Sequence, residues 1–378
     1  MSETTILGVG DIILDLDNHG TAFDRVKHIL RKGDIVFANC DQTFSDLGSD
    51  PNGFWPIYVS AVPHAASMID CVKDAGFSVL NFGNNHSLDW GYEAVFDCME
   101  GCRDAGMTPI GFGKNIVEAR RPTIINKDET KVGFLNYCSI GPAGYEATES
   151  RPGHVPLRAH TYYQQWDPQP GTPALTKSFV DREDLSAMIE DIKALRPKVD
   201  ILICTFHWGV HYIPAEIADY EREAGHAAID AGADIIFGQH AHLPKGIEVY
   251  NGKTIFYGMH NFSSRGEWTC PAYQPGSKYP DSYKWDWTEH GKKFATFYGE
   301  IDPDEKRSSM IAKISVDKAK IVRTAFIPCW ISDHNEPEAV GAGDARGQQI
   351  FEHFKFLSHS QGFDTKLEWD GDEIVVSD

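Results

Sequence analysis

Short runs of β-branched and aromatic residues alternate along the chain with stretches whose apolar positions recur at helical spacing. TTILGVGDIIL, from residue 4, reads as a strand, TAFDRVKHILRKG as a helix closing on Gly33, and DIVFANC as the next strand. After a polar loop at 45–56 the pattern predicts a helix near 63–75 closing on Gly76. The strand FSVLNFG, the helix GYEAVFDCMEGCRDAG and the strand MTPIGFG follow. The second half continues with VGFLNYCS, a long loop, the helix REDLSAMIEDIKALRP, the strand DILICTFHWG, the helix AEIADYEREAGHAAIDAG and the strand DIIFGQHAH. KGIEVYNGKTIFYGMHNF is a hairpin turning on Asn251-Gly252, the dipeptide that most readily supplies two left-handed residues. SSMIAKISVDKAKIVRTAFIPCWI is a further hairpin. Strands alternating with helices that end in glycine predict an α/β fold whose sheet faces are covered by helices.

No internal repeat and no low-complexity linker divides the 378 residues. They read as a single domain with insertions at about 141–180 and 262–298 and a C-terminal extension at about 335–378. Loops this long inside a compact domain are functional or disordered, and the aromatic mass of the second argues against disorder. It reads either as a small satellite core or as an aromatic-lined pocket, with Trp268, Trp285 and Trp287 on a lid above the strand ends.

Charge narrows the partners. With 35 basic and 55 acidic residues the net charge is −20, which disfavours nucleic acid and anionic membrane surfaces. The opening MSETTILGVGDIILDLDN lacks the basic and apolar regions of a signal peptide, and no run of about 18 apolar residues could span a bilayer. Eight scattered cysteines without a C-x-x-C pair read as reduced thiols of a cytoplasmic protein.

Polar side chains recur where apolar strands end: Asp11, then Asn39 and Asp41, then Asn84, Asn85 and His86. They recur again at His207 with His211, at Gln239, His240 and His242, and at His260 and Asn261. Turn chemistry accounts for one such exit. It does not account for all of them, because the carboxyl ends of parallel strands gather on one edge where ligands bind. NFGNNHSLDWG, residues 81–91, is therefore read as a site first and a turn second. Two carboxylates, an amide oxygen and three imidazoles suit Mn²⁺, Fe²⁺, Zn²⁺ or Co²⁺ better than Ca²⁺, one or two ions per chain. The H-x-H of His240 and His242 is read as an extended segment pointing both rings the same way.

GD at 10–11, NCD at 39–41, GNNH at 83–86, HWG at 207–209 and GQHAH at 238–242 resemble, in that order, the calcineurin-like metallophosphoesterase superfamily. NNHSLDWG and GIEVYNGKTIFYGMHNF resemble its CapA-like branch, the capsule and poly-γ-glutamate synthesis-like proteins. The resemblance spans about residues 5–262 and implies a four-layer αββα sandwich with a metal centre at the sheet edge. It implies that Asp11 and His242 hold one divalent ion, that Asp41 bridges, and that Asn85, His207 and His240 hold a second. His86 would be an outer-sphere acid or base oriented by Asp89. Two departures stand out. Ile13 occupies the place of a histidine in the superfamily's Asp-x-His motif, and Asp41 stands where CapA-like proteins usually carry Glu. The first metal position keeps three candidate ligands, so one firm ion is expected and a second weak or absent.

Three functions compete. One is hydrolysis of a phosphoester or γ-glutamyl-type amide. Another is proton abstraction beside a metal-polarised carboxylate or amide, since the CapA-like branch includes soluble enzymes that epimerise a Cα of a precursor peptide. The third is a non-catalytic part in capsule or poly-γ-glutamate synthesis. The depleted first site and the aromatic insertion favour a peptide-modifying epimerase with His86, Asp89 and Asp11 in catalytic roles. Asn39, Asn84, His211 and the three tryptophans are then expected to meet a peptide or peptide-like substrate, with neither nucleic acid nor membrane as partner.

Overall fold

A computed structural model describes residues 3–14, 20–48, 65–165, 167–264 and 304–378. The chain begins with β1 (Thr4–Ile12), α1 (Lys27–Leu30), β2 (Ile35–Cys40), α2 (Ala65–Ala75), β3 (Val79–Asn81), α3 (Gly91–Asp104) and β4 (Thr108–Ile110). It continues through β5 (Phe112–Gly113), α4 (Ile116–Ala119), β6 (Thr123–Lys127), β7 (Thr130–Cys138), β8 (Gly153–His154), β9 (Ala159–Gln164) and β10 (Leu175–Val180). Next come α5 (Arg182–Leu195), β11 (Ile201–His207), α6 (Asp219–Ala231), β12 (Ile235–Gln239), β13 (Ile247–Tyr250) and β14 (Lys253–Phe256). The last part is β15 (Ser308–Asp317), β16 (Lys320–Ile331), β17 (Pro337–Ala339), α7 (Ala345–Ser360), β18 (Lys366–Asp370) and β19 (Glu373–Ser377).

Two sheets form. In one, β1 to β4 run parallel, and β15, β16, β19 and β18 extend it antiparallel from β1, with β17 beside β16. In the other, β7, β11, β12 and β14 run parallel between antiparallel edge strands β6 and β13. The period-2 alternation of a strand explains why their sequences are apolar throughout. Ile6, Ile35 and Phe37 face Ile201, Ile203 and Phe237 between the sheets. Their neighbours Leu7, Val36 and Leu80 turn outward to Leu30, Val72 and Val95 of α1 to α3. On the far side Leu202, Cys204 and Ile236 meet Met188, Ile192 and Ala228 of α5 and α6. The result is a four-layer αββα sandwich, and α7 closes the end of the inter-sheet core with Ile350, Phe354 and Leu357. Among the described residues seven cysteines are free thiols, and no helix is long and apolar enough to cross a membrane.

The hairpin at Asn251-Gly252 forms as expected, with φ of 51° and 70°. Other expectations need correction. Only Lys27–Leu30 of TAFDRVKHILRKG is α-helical, because residues before it close tighter turns such as Val26 N to Phe23 O and no side chain caps the start. The loop at 141–180 is not structureless: β9 and β10 pair as a hairpin and β8 pairs with β5. Most of the second insertion, with Trp268, Trp285 and Trp287, lies outside the described residues.

Two glycines allow close approach toward the carboxyl end of β1, one to a ring and one to backbone. A Cβ on Gly8 would lie 2.6 Å from the Phe237 ring, and one on Gly10 would lie 1.8 Å from the His260 carbonyl oxygen. Beside them the β1–β2 register shifts between Gly8 and Asp11. Such an irregularity re-aims a side chain, here Asp11, whose backbone stays in register with Asn39 and also pairs with the 260–262 segment. Gly10→Ala cannot be relieved by a rotamer change, since the clash is with backbone. It should destabilise the fold by about 1–3 kcal/mol or more, read as a lower urea midpoint, whereas a wild-type midpoint would contradict this packing.

Candidate metal centre

Asp11, Asp41, Asn85, His207, His240 and His242 arrive from the ends of β1, β2, β3, β11 and β12 and converge at one edge. His207 Nε2 lies 2.6 Å from Asn85 Oδ1, 3.2 Å from His240 Nδ1 and 3.7 Å from Asp41 Oδ1. On the other side His242 Nε2 is 3.8 Å from Asp41 Oδ2, and His242 Nδ1 is 3.6 Å from Asp11 Oδ2. Asp41 thus turns one oxygen to each histidine group, as a bridging ligand would. Potential donor atoms of Asp11, Asp41 and His207 lie within 4.8 Å of one another, as do those of Asp41, His86 and His242.

Burial, and then the neighbouring Asp41, push the Asp11 carboxyl well above the usual carboxylate range. Burial also raises Asp41, against the pull of His86 and Asn39. The imidazoles move the other way. Burial and the adjacent rings take His207 and His240 well below their ordinary value, and burial takes His242 down to about 4. Neutral rings offer lone pairs, and paired buried carboxylates call for positive charge. Asp41 Oδ2, buried, has no hydrogen-bond partner among the described residues. This mixed O/N set fits a divalent cation, whose binding would displace the carboxyl protons. Ile13, 4% exposed, supplies no donor side chain; its N–H donates to Ser263 Oγ and its carbonyl accepts from the same hydroxyl.

His86 stands beside this group with its Nδ1 2.7 Å from Asp89 Oδ2, the pairing expected from their spacing of three. It does not cap a helix: α3 begins only at Gly91. Burial lowers the His86 pKa, but Asp89, and then Asp41 and Asp11, outweigh it and carry the ring up to about 9.

Two residues expected to meet substrate do something else. Asn39 and Asn84 are completely buried, and their amides are committed within the protein. Asn39 Nδ2 donates to Asp11 Oδ1 at 2.8 Å and to Asp41 Oδ1 at 3.2 Å, while its Oδ1 accepts from Asn81 and Asn84. Asn84 also donates to the Cys40 carbonyl at 2.8 Å, and its Oδ1 accepts the His86 N–H at 3.0 Å. Both position the carboxylates and His86. The H-x-H segment is not extended either. β12 ends at Gln239, and His240 and His242 take left-handed backbone with φ of 92° and 48°. That conformation costs non-glycine residues free energy and gathers at functional sites. Here it aims His240 at His207 and His242 at Asp11 and Asp41.

Asn261 is a site residue the sequence reading noted as a strand exit and gave no role. Its Oδ1 sits 2.6 Å from His242 Nδ1 and accepts that nitrogen's proton, leaving Nε2 as the lone-pair donor. Only its partner across the fold identifies it. His211 stacks on His240, and Trp268, Trp285 and Trp287 lie outside the described residues.

A match to the family described as bacterial capsule synthesis protein PGA_cap covers residues 5–265. The chain is 25% identical over 299 residues to the PGA biosynthesis protein CapA of Bacillus subtilis, covering 79% of this chain and 68% of that protein. It is 27% identical over 278 residues to the capsule biosynthesis protein CapA of Bacillus anthracis, covering 70% of this chain and 61% of that protein. Among solved structures, a calcineurin-like phosphoesterase of Bacillus subtilis aligns with a TM-score of 0.36 at 12% identity, over 95% of this chain and 97% of its own.

Elemental analysis after dialysis should find one firmly held divalent ion per chain and a second weakly held or lost. Two tightly held ions would contradict the depleted first position, and Ile13→His should raise occupancy there. A second outcome concerns pH. The folded His86 value lies above the ordinary 6.5, so the His86–Asp89 pair stabilises the metal-free protein fully below about pH 6.5 and loses this contribution as pH rises through about 9. In metal-free Asp89→Asn the imidazole NMR midpoint of His86 should fall toward 6.5; an unmoved midpoint would remove Asp89 as its partner.

Proposed function

Because this chain belongs to the bacterial capsule synthesis protein PGA_cap family, we propose that it is a divalent-metal-dependent enzyme that epimerises a Cα centre of a peptide or peptide-like substrate. The observation that carries the reading is the His86–Asp89 pair, a buried imidazole held by a carboxylate at 2.7 Å beside the candidate ligands. Abstracting a proton next to a carbonyl needs a base fixed in one tautomer and orientation. Asp89 fixes the ring through Nδ1, and a bound cation would offset the Asp41 and Asp11 charges that keep the metal-free ring protonated, so that Nε2 could then take the Cα proton. A cation held by Asp41, Asn85, His207 and His240 would act as a Lewis acid on the adjacent carboxylate or amide. Return of a proton with inverted configuration needs a second group on the opposite face of the carbon; Asp11, completely buried and bonded to Asn39 and His240, would have to exchange those contacts for substrate to serve there. The free thiols of the described residues accord with a cytoplasmic setting.

Hydrolysis of a γ-glutamyl-type amide or phosphoester is the second reading. It is favoured by one observation, the division of the Asp41 oxygens between His207 and His242 at 3.7 and 3.8 Å. A ligand so divided suits a two-ion clamp on an in-line displacement.

Manganese-loaded protein incubated with a panel of candidate peptides in D₂O separates these readings. Epimerisation gives deuterium at Cα with the chain intact, hydrolysis gives cleavage, and neither would leave a non-catalytic part in polymer synthesis. His86→Ala should lower exchange about 10²–10⁴-fold, the usual size of a proton-transfer contribution, while metal content stays constant. His207→Ala and His240→Ala should lose metal and exchange together. A His86→Ala protein that loses its metal would make His86 a ligand instead.

A further inference from the structure

The His240–His242 turn is braced from behind by residues 208–218, the segment that carries His211. This segment forms no regular element, and Gly209, Tyr212 and Ala215 all take left-handed backbone, with φ of 97°, 52° and 57°. It is held largely by side chains from other elements. Gly209 N–H donates to the Tyr220 hydroxyl and Ala218 N–H to Glu221 Oε2, both at 2.6 Å. The Lys245 ammonium donates to the Ile213 carbonyl at 2.5 Å. Tyr212 N–H donates to the carbonyl of Ala241 at 3.0 Å, between the two histidines. The contact that results is close: the His211 ring lies over His240 with centroids 3.8 Å apart and planes 21° apart, and 5.1 Å from His242. His211 Nε2 is buried without a hydrogen-bond partner among the described residues, and the ring meets His240 with its face and with a hydrogen bond to the His240 backbone.

Lys245 is the unusual member. It is completely buried, and an ammonium in that position carries a desolvation cost that an apolar side chain of equal length would not. One nearby acid is Glu221, also completely buried; burial raises its carboxyl to about 7 against the Ala218 N–H and Lys245. A cation retained at such a place marks a geometric requirement, and the geometry at stake is the back of the metal-facing histidines.

We propose that Lys245 is a positioning residue for the metal centre: its ammonium anchors the 208–218 segment so that the His211 ring supports His240 by stacking, without being a ligand. The inference rests on the reading of this edge as a metal centre, and cobalt binding tests the two separately. Titrating metal-free wild-type protein with Co²⁺ should produce visible absorption bands from coordinated cobalt; their absence would remove the metal centre itself. With the bands present, Lys245→Met should bind Co²⁺ about 10–100-fold more weakly, the usual effect of removing an outer support, and its bands should shift. The melting temperature of its metal-free form should fall, since Glu221 and the Ile213 carbonyl lose a buried partner. His211→Phe, which keeps a flat ring and loses both nitrogens, should bind Co²⁺ like the wild type, while His211→Ala should weaken binding as Lys245→Met does. Wild-type affinity and bands in Lys245→Met would overturn the proposal. So would a His211→Phe protein as impaired as His211→Ala, which would show that the stacked ring face is not what supports His240; this pair decides the matter even if Lys245→Met does not fold.

Discussion

Two carboxylates, Asp11 and Asp41, stand out of water at the ends of neighbouring parallel strands, joined by the amide of Asn39. Like charges so placed in a low-dielectric interior cannot both ionise unless positive charge arrives. Every other feature of this edge answers that constraint. Neutral imidazoles approach with lone pairs, Asn39 directs its Nδ2 to both acids, and the His240 N–H donates to Asp11 Oδ2 at 3.2 Å. The fold holds a divalent cation's candidate ligands together, and the proposed chemistry follows from what stands next to them.

The rigidity of this arrangement comes from the contact between the two sheets. Below the site the sheets pack through aromatic rings, Phe37 lying 5.6 Å from Phe237 and 6.1 Å from Phe134. Above them the packing becomes polar. Asn81 donates to Asn39 at 2.7 Å, and Asn136 of β7 approaches Gly83 and Gly111 so closely that a Cβ would lie 1.9 or 2.7 Å from its Oδ1. A layer of buried amides thus replaces apolar packing at the carboxyl edge. Amides hold a donor and an acceptor each, so they align carboxylates from two strands where aliphatic side chains would only fill space.

The proposed reaction uses this rigidity differently from a two-ion hydrolase. Ile13 leaves the first position short of a ligand, while His86 keeps a carboxylate partner at 2.7 Å. That combination favours one cation polarising a substrate and one protein base moving a proton. The relatives named for capsule and PGA biosynthesis share the family, and the chain spans 68% and 61% of their lengths.

Much of this was legible in the linear chain. Alternation and glycine endings predicted the α/β layers because strand and helix periods are local properties, and the hairpin at Asn251-Gly252 followed from two residues' backbone preferences alone. The ligand candidates could be read because each leaves an apolar strand, and strand ends of a parallel sheet share an edge. What the residues alone left open depends on contacts between segments distant in sequence. Asn39 and Asn84 looked available to substrate until partners from other strands were seen to occupy their amides. The H-x-H looked extended until Asp11 and the 208–218 segment were seen to bend it, and Asn261 gained a role only from His242, 19 residues before it. The sequence by itself determined which chemical groups reach the sheet edge, because periodicity and residue type are written locally. The tertiary structure decided which of them gather as candidate ligands and which hold the others in place, because a hydrogen bond is assigned by distance in space.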